Sequence, residues 1–262
     1  MKDVNQDYFR DKTVVITGGV KGIGHACTQY FLNAGANVAI WDITPDFEPI
    51  PDDQKAAFQY VHCNVASESD VAAASALTMA RFQRVDILVN NAGIQRYSKV
   101  AETSEKEWDL VMNVNLKGAF LCAKHLIPIM QQIGKGVIIN VSSVQAFISQ
   151  QNVAPYTTSK TALLGLTRSI AVDYAPEIRA VAVCPGTVDT PMLREAIQLS
   201  PDPEAVLKEC MAMHLGGEIG KPEDIAALVG FLAGPNANFI TGQAIRIDGG
   251  LGISIGGSKR ES

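Results

Sequence analysis

An α/β protein with a doubly wound parallel sheet is what this sequence of 262 residues predicts. Three observations carry the prediction. Short β-branched runs alternate with longer stretches of helical apolar spacing, the pattern of strands and crossover helices that cover a sheet on both faces. The first run, Thr13 to Thr17, passes straight into a glycine-rich turn, Gly18 to Gly24, and then into a helix. Chemistry-bearing residues fall where runs end: Asp42, Asn90, Ser143 and Pro185-Gly186. Open α/β sheets bind ligands at the carboxyl ends of their strands. No linker or internal repeat divides the chain, so residues 1–262 read as one domain.

In order, Thr13 to Thr17 is a buried strand, and the helix after the glycines runs to about Ala34. Val38 to Trp41 is the second strand, ending at Asp42. Ile43 to Ala57 carries Pro45, Pro49 and Pro51, which discourage a helix; a loop there should leave one sheet face thinner. Phe58 to His62 is the third strand. Ser67 to Asp70 opens a helix with a capping-box-like start, carried to about Phe82. Ile87 to Val89 is the fourth strand, closed by Asn90-Asn91-Ala92-Gly93. Ser104 to Glu107 is a second capping box, opening one long helix to about Met130 with Asn115 inside it. Val137 to Val141 is the fifth strand, delivering Ser142 and Ser143. Pro155 starts a helix whose apolar residues (Leu163, Leu164, Leu166, Ile170) bury it. Arg179 to Cys184 holds the sixth strand, Lys221-Pro222-Glu223-Asp224 begins the last helix, and Ala244 to Ile247 is the last strand. Residues 191–220 read as less regular, and 251–262 as a flexible tail.

Composition removes several classes of function. A net charge of −5 argues against a general nucleic-acid binder. No run of eighteen apolar residues suggests a membrane span, and Met1 to Lys12 lacks the apolar core of a signal peptide. Five scattered cysteines without a CxxC, and four histidines without metal-ligand spacing, fit reduced thiols in a cytoplasmic protein with no metal.

Tyr156 and Lys160 are four apart on a predicted helix and share a face. An ammonium beside a phenol favours the phenolate. Bringing a phenol from about 10 to about 7 takes roughly 4 kcal/mol, and the product is a general base usable near neutral pH. Ser143 lies thirteen residues before the tyrosine. With Asn115, the run Asn90 to Gly93 and the turn Thr17 to Gly24, this constellation resembles the short-chain dehydrogenase/reductase family over roughly residues 10–250. The resemblance implies a Rossmann-type sheet of seven parallel strands and a nicotinamide-dependent oxidoreductase.

Read through that resemblance, Asn115, Ser143, Tyr156 and Lys160 are catalytic. Asn115 belongs to a helix irregularity linking Lys160 to solvent, and Ser143 holds the substrate oxygen for Tyr156. Gly18, Lys21, Gly22, Ile23 and Gly24 form the pyrophosphate turn, next to a helix N-terminus. Asp42 accepts from the adenosine ribose hydroxyls and repels a 2′-phosphate, which favours NAD over NADP. Lys21 pulls the other way, because a basic residue there helps relatives bind that phosphate. Asn64 and Val65 cradle adenine, while Asn91, Ala92 and Gly93 let backbone approach the cofactor. Tyr156 and Lys160 also meet it, and Pro185, Gly186, Val188 and Thr190 hold the nicotinamide. Gln95, Gln145 and Asn152, with Ser143 and Tyr156, are the substrate candidates, although the amides suit loop surface equally.

Residues 191–220 become a lid over substrate, in which His214 reads as a lone exposed histidine. Stretches such as Val141 to Ala146 and Ala171 to Pro176 look like members that oxidise aldoses at the anomeric carbon. The expected substrate is therefore a small alcohol or sugar. The alternatives are a 3-oxoacyl-thioester or keto-steroid reductase, and a nucleotide-binding module without turnover. The family's pairing of long helices implies a homotetramer or homodimer.

Overall fold

The protein is described for residues 8–253 of a computed structural model. The strands are β1 (Thr13–Thr17), β2 (Asn37–Asp42), β3 (Phe58–His62), β4 (Ile87–Asn90), β5 (Gly136–Val141), β6 (Ile178–Pro185) and β7 (Ala244–Ile247). They form one parallel sheet in the order β3-β2-β1-β4-β5-β6-β7. The helices are α1 (Gly22–Asn33), α2 (Glu68–Phe82), α3 (Glu105–Met112), α4 (Gly118–Ile133), α5 (Ala154–Asp173), α6 (Pro191–Gln198), α7 (Pro203–Ala212) and α8 (Pro222–Ala233).

The alternation of strand side chains divides the core into two layers. Val14 and Ile16 of β1 join Phe31, Leu32, Ile225 and Val229 of α1 and α8. Val15, between them in sequence, joins Leu121, Leu126 and Ile170 of α4 and α5 on the other face. The strand order reverses between β1 and β4, with successive strands added outward on either side, and this switch point opens a crevice at their carboxyl ends.

Buried polar bonds fix α5 against that crevice. Asn90 donates to the Asn140 side chain (2.9 Å), Asn140 donates to the Thr167 hydroxyl (2.9 Å), and Thr167 donates to the Leu163 carbonyl (2.7 Å). Ser142 donates to the Lys160 carbonyl at 2.7 Å. The helix bearing Tyr156 and Lys160 is thereby tied to β4 and β5.

The predicted strands are present, and each predicted capping box forms its N-cap half: Ser67 accepts from the Asp70 amide and Ser104 from the Glu107 amide, while the Asp70 and Glu107 carboxylates accept from those serine hydroxyls. Three stretches differ from expectation. The single helix expected from residue 104 is broken into α3 and α4 by a π turn over Asn113–Lys117. Residues 191–212, expected to be irregular, form α6 and α7. Proline at the start of each helix and N-cap bonds from Thr190 and Asp202 explain their regularity. Residues 43–57 lack a crossover helix as expected, apart from a short turn at Lys55–Ala57. The sheet face is nevertheless covered, because Ile50 is buried in the core and Phe47 stacks on Tyr60 at 5.5 Å.

Of the predicted tail, Leu251–Ile253 forms one 3-10 turn and the remainder lies outside the described residues. Among the described residues no helix is long and apolar enough to cross a membrane.

Candidate active site

The crevice is a cavity of about 680 Å³ running from Asp42 past Tyr156 to the helices α6 and α7. Its glycine turn needs glycine in earnest. Gly18 and Gly22 have φ of +63° and +56°, in the left-handed region that costs other residues strain. Gly18, Lys21, Gly22 and Ile23 line the cavity, but Gly24 does not. Gly24 sits behind the turn, where a Cβ would meet the Gly18 carbonyl oxygen at 2.0 Å. Its role is to let α1 close on the turn, a correction to its place among the cofactor contacts.

Asp42 lines the cavity and accepts from the amides of Val20 and Thr44, both at 3.2 Å. Lys21 faces Asp46 at 3.4 Å, so its charge is offset locally. Asn64 and Val65 lie on the wall, with Asn91, Ala92 and Gly93. Asn91 donates to the carbonyls of Thr17 and Gly18, pinning β4's end to the turn. Asn90 spends its side chain on Asn140 and Ala119 inside the core and does not reach the cavity.

At the centre Ser143, Tyr156 and Lys160 meet. The Lys160 ammonium lies 5.6 Å from the centre of the Tyr156 ring and donates to the Val141 carbonyl at 2.9 Å. It is 4 % exposed. Gly93 makes room for it: a Cβ there would stand 3.3 Å from Nζ. Asn115 is also buried, in the π turn. Its oxygen accepts from the Ile94 amide (2.8 Å), and its nitrogen donates to the Ile94 carbonyl (2.9 Å) and the Ser159 hydroxyl (3.0 Å). The irregularity expected around Asn115 is therefore real, and π turns recur at functional sites. Ser142, adjacent to Ser143, is turned inward to Lys160's carbonyl.

The electrostatics depart from the expectation of a lowered phenol. Burial pushes Tyr156 up to about 12, against an opposing hydrogen bond from Ser143 and with a smaller upward push from Tyr97. Burial pushes Lys160 down to about 8. The reason is geometric: the ammonium is engaged with the Val141 carbonyl and lies toward the ring face, so withdrawal from water decides the phenol's value.

Beyond Tyr156, Gln95 and Gln145 line the cavity. Asn152 does not: it is exposed in a turn at φ +61°, and its carbonyl accepts from the Ser98 amide. Gln150 takes its place on the wall and accepts from Gln145 at 3.3 Å. Tyr97, Ile148, Ala196, Ile197 and Val206 also line this end and escaped the sequence reading. The apolar pair Leu193 and Ile197, four apart, was the available signal for α6.

Pro185, Gly186, Val188 and Thr190 border the cavity beside Tyr156. A bridge between Val188 and Gly220 uses the Thr187 carbonyl and the Asp189 amide, leaving Val188's own N–H turned away from Gly220. The Thr190 hydroxyl accepts from the Leu193 amide and donates to the Val188 carbonyl. His214 corrects its expectation: it is 5 % exposed, packed under this loop. Among the described residues no group of three or more His, Cys, Asp or Glu could hold a metal ion.

A family profile described as Enoyl-(Acyl carrier protein) reductase matches residues 18–252. The chain belongs to the short-chain dehydrogenase/reductase family. It is 39% identical to the ligand-free aldohexose dehydrogenase of Thermoplasma acidophilum, with a TM-score of 0.91 over 97% of this chain and 98% of that one. An uncharacterised oxidoreductase of Thermotoga maritima is 43% identical over 92% of this chain and 98% of its own. A 3-ketoacyl-(acyl-carrier-protein) reductase from Brucella melitensis, complexed with NADH, is 32% identical with a TM-score of 0.85, over 94% of this chain and all of that one. Short-chain dehydrogenase/reductases are oxidoreductases that bind NAD(P), and the glycine cradle and the ribose-side acid described above fit such a dinucleotide.

Proposed function

We propose that this short-chain dehydrogenase/reductase oxidises a neutral hydroxylated substrate, an aldose or a polyol, with NAD. The observation carrying the proposal is the meeting of Ser143, Tyr156 and Lys160 where the glycine-lined groove passes into an amide-bearing pocket. Among the described residues lining that cavity only Lys21, Asp42 and Lys160 carry charge, and none of them stands at the pocket end. Among the described residues, a substrate bearing a phosphate or a carboxylate finds no cation on that wall. Gln95, Gln145 and Gln150 offer donors and acceptors to sugar hydroxyls.

Bound nicotinamide supplies the hydride acceptor. The protein's part is positioning and proton transfer. Ser143 donates to the substrate oxygen, and Tyr156 takes the hydroxyl proton as the carbon gives up hydride. Beside the positive charge of the nicotinamide ring, when bound, the phenol would come down from its raised value toward the ionised form this step needs. Lys160 has three N–H donors and gives one to Val141, so two remain for the cofactor ribose and for the phenolate. Asn115 holds the Ile94 peptide and keeps the strand end beside Lys160 in place. Helices α6 and α7 form the lid over substrate. Asp42, joined by Asp46, disfavours a 2′-phosphate, and Lys21 is already occupied by Asp46. NAD is therefore the preferred cofactor.

A carrier-bound 3-oxoacyl substrate is the second reading, supported by the likeness to the Brucella reductase. Such a carrier needs a basic entrance, and Arg194, beside the α6 end of the cavity, is held by Asp189 through two bonds of 2.8 and 2.9 Å. Exposed Trp108, Leu110 and Phe120 on α3 and α4, with Val172 on α5, support a homo-oligomer, which light scattering tests. Four buried unpaired thiols suit a reducing, cytoplasmic setting.

The deciding experiment is NAD reduction across aldoses, polyols, secondary alcohols and acyl thioesters, with NADP alongside. Turnover of an aldose or polyol with a higher kcat/KM for NAD is expected. Thioester reduction without sugar oxidation, or a preference for NADP, would overturn this assignment.

A further inference from the structure

His214 belongs to none of the chemistry above, yet it is the best-connected side chain between the lid and the cleft. It follows α7 by two residues. Its Nδ1 lies 2.7 Å from the Cys210 carbonyl, which can only accept, so the proton sits on Nδ1. The other nitrogen, Nε2, is then an acceptor, and the Thr187 amide donates to it at 3.2 Å. The ring is wedged between two loops. A Cβ on Gly186 would lie 2.9 Å from Nε2, and one on Gly249 would lie 3.0 Å from Cδ2. The backbone follows suit, since the Leu215 amide donates to the Gly249 carbonyl at 2.9 Å.

Thr187 stands between Gly186 and Val188, both on the cavity wall. Its carbonyl is held by the Gly220 amide at 2.9 Å. Its N–H is held by His214 alone among the bonds around it. That N–H belongs to the Gly186–Thr187 peptide, whereas the carbonyl held by Gly220 belongs to the Thr187–Val188 peptide, so without His214 the first plane can rotate while the second stays fixed.

We propose that His214 is a positioning residue: its neutral imidazole, braced on the Cys210 carbonyl, fixes the Gly186–Thr187 peptide, and with it the stretch of cavity wall that meets the nicotinamide end of the cofactor. The proposal rests on the dinucleotide reading of the cleft. It also makes the lid and the nicotinamide loop one mechanical unit, because one ring is bonded to both.

Two substitutions separate this from a space-filling role. His214→Asn keeps a donor for Cys210 but is too short to reach Thr187. His214→Gln reaches Thr187 with an acceptor. Binding of NAD and of ADP-ribose, which lacks the nicotinamide, is measured by calorimetry on the full chain, with circular dichroism to check folding. Expected for His214→Asn is an NAD affinity weakened about tenfold with ADP-ribose changed by less than about twofold. His214→Gln should bring NAD back to within about threefold of wild type. Equal losses for both ligands, equal losses in both variants, or no loss would overturn the proposal. If the Asn variant does not fold, His214→Leu, which fills the space with no acceptor for Thr187, takes its place: a tenfold loss of NAD affinity restored in His214→Gln supports the role, and equal affinities in the two variants remove it. A wild type that binds neither ligand brings down the dinucleotide reading together with this one, whereas ADP-ribose and NAD binding unaffected by either variant brings down this one alone.

Discussion

The first two turns of α5 and the pair α6–α7 line one cavity and are built on opposite plans. Lys160 and Ser143 are buried, and so is Asn115 beside them. The α5 segment that carries the lysine is bonded to β5 through Ser142 and, by way of Thr167 and Asn140, to β4. Along α6 only Ile197 is buried, and along α7 no residue is. Each of these two helices closes its N-terminus with its own cap, from Thr190 and Asp202. They are thus locally complete and only lightly packed. On the proposed reading, proton transfer, which needs fixed distances, falls in the tied region, and substrate choice, which tolerates movement, falls in the lightly packed one.

Tyr156→Phe gives the sharpest test of the tied side. Turnover should fall by about 10³-fold or more with NAD affinity unchanged, as expected for loss of the acid–base group. Near-wild-type turnover would place the chemistry elsewhere. Next comes Lys160→Met, which should also abolish turnover yet stabilise the fold. The lysine's folded value of about 8 lies below its ordinary 10.5, so the unfolded chain binds more protons between those two values. Wild-type stability contributed by this group therefore rises with pH through that window and is lost below it. At pH 7 the variant should gain on the order of 1–3 kcal/mol, part of the gain being offset by the lost bond to Val141. Denaturant titrations at pH 7 and pH 10.5 check this: a wild-type-minus-variant difference that does not shrink toward alkaline pH refutes it.

Asn115→Ala should destabilise by roughly 1–3 kcal/mol, because it strips the partners from the half-buried Ile94 N–H and C=O. Thermal unfolding reads it, and an unchanged midpoint would show that the π turn is not held by this side chain. The smallest effect on stability belongs to the lightly packed side. Val206→Ala with Met192→Ala should stay within about 1 kcal/mol. The same pair should alter the ratio of kcat/KM between two aldoses by about tenfold. A large loss of stability without a change in selectivity would erase the contrast between the two regions.

Much of the tied region was legible in the sequence, since each of its residues breaks a local rule. Lys160 lies in an apolar helix, Asn115 in mid-helix and Gly18 to Gly24 directly after a strand. The π turn was legible only through the family resemblance and not from helical spacing, because it is held by bonds to Ile94, twenty-one residues away in sequence. The caps and prolines of α6 and α7 were present in the sequence, but Pro191 and Pro203 act there as helix starters rather than breakers. His214 could not be read, since its partners are a backbone N–H and a backbone carbonyl, which leave no mark on residue type. The direction of the Tyr156 shift was hidden for a similar reason: spacing put the amine near the phenol but said nothing of the Val141 carbonyl competing for it. Asn152 and Gln150 exchanged places because a left-handed turn at residue 152 carries that amide away from the cavity.

The stretch between β2 and β3 has a use in redesign. It carries Asp46 and Glu48, which pair with Lys21 and His25, and it adheres to the sheet through the side chains of Phe47 and Ile50 rather than through a helix. Its side-chain bonds to the helices lie near its end, from Gln54 to Asn33 and from Arg81 to the Lys55 and Ala56 carbonyls. Swapping it, with those anchors retained, amounts to exchanging a cassette: the charges around Lys21 become a property of some fifteen transplantable residues, while Asp42 stays with the sheet.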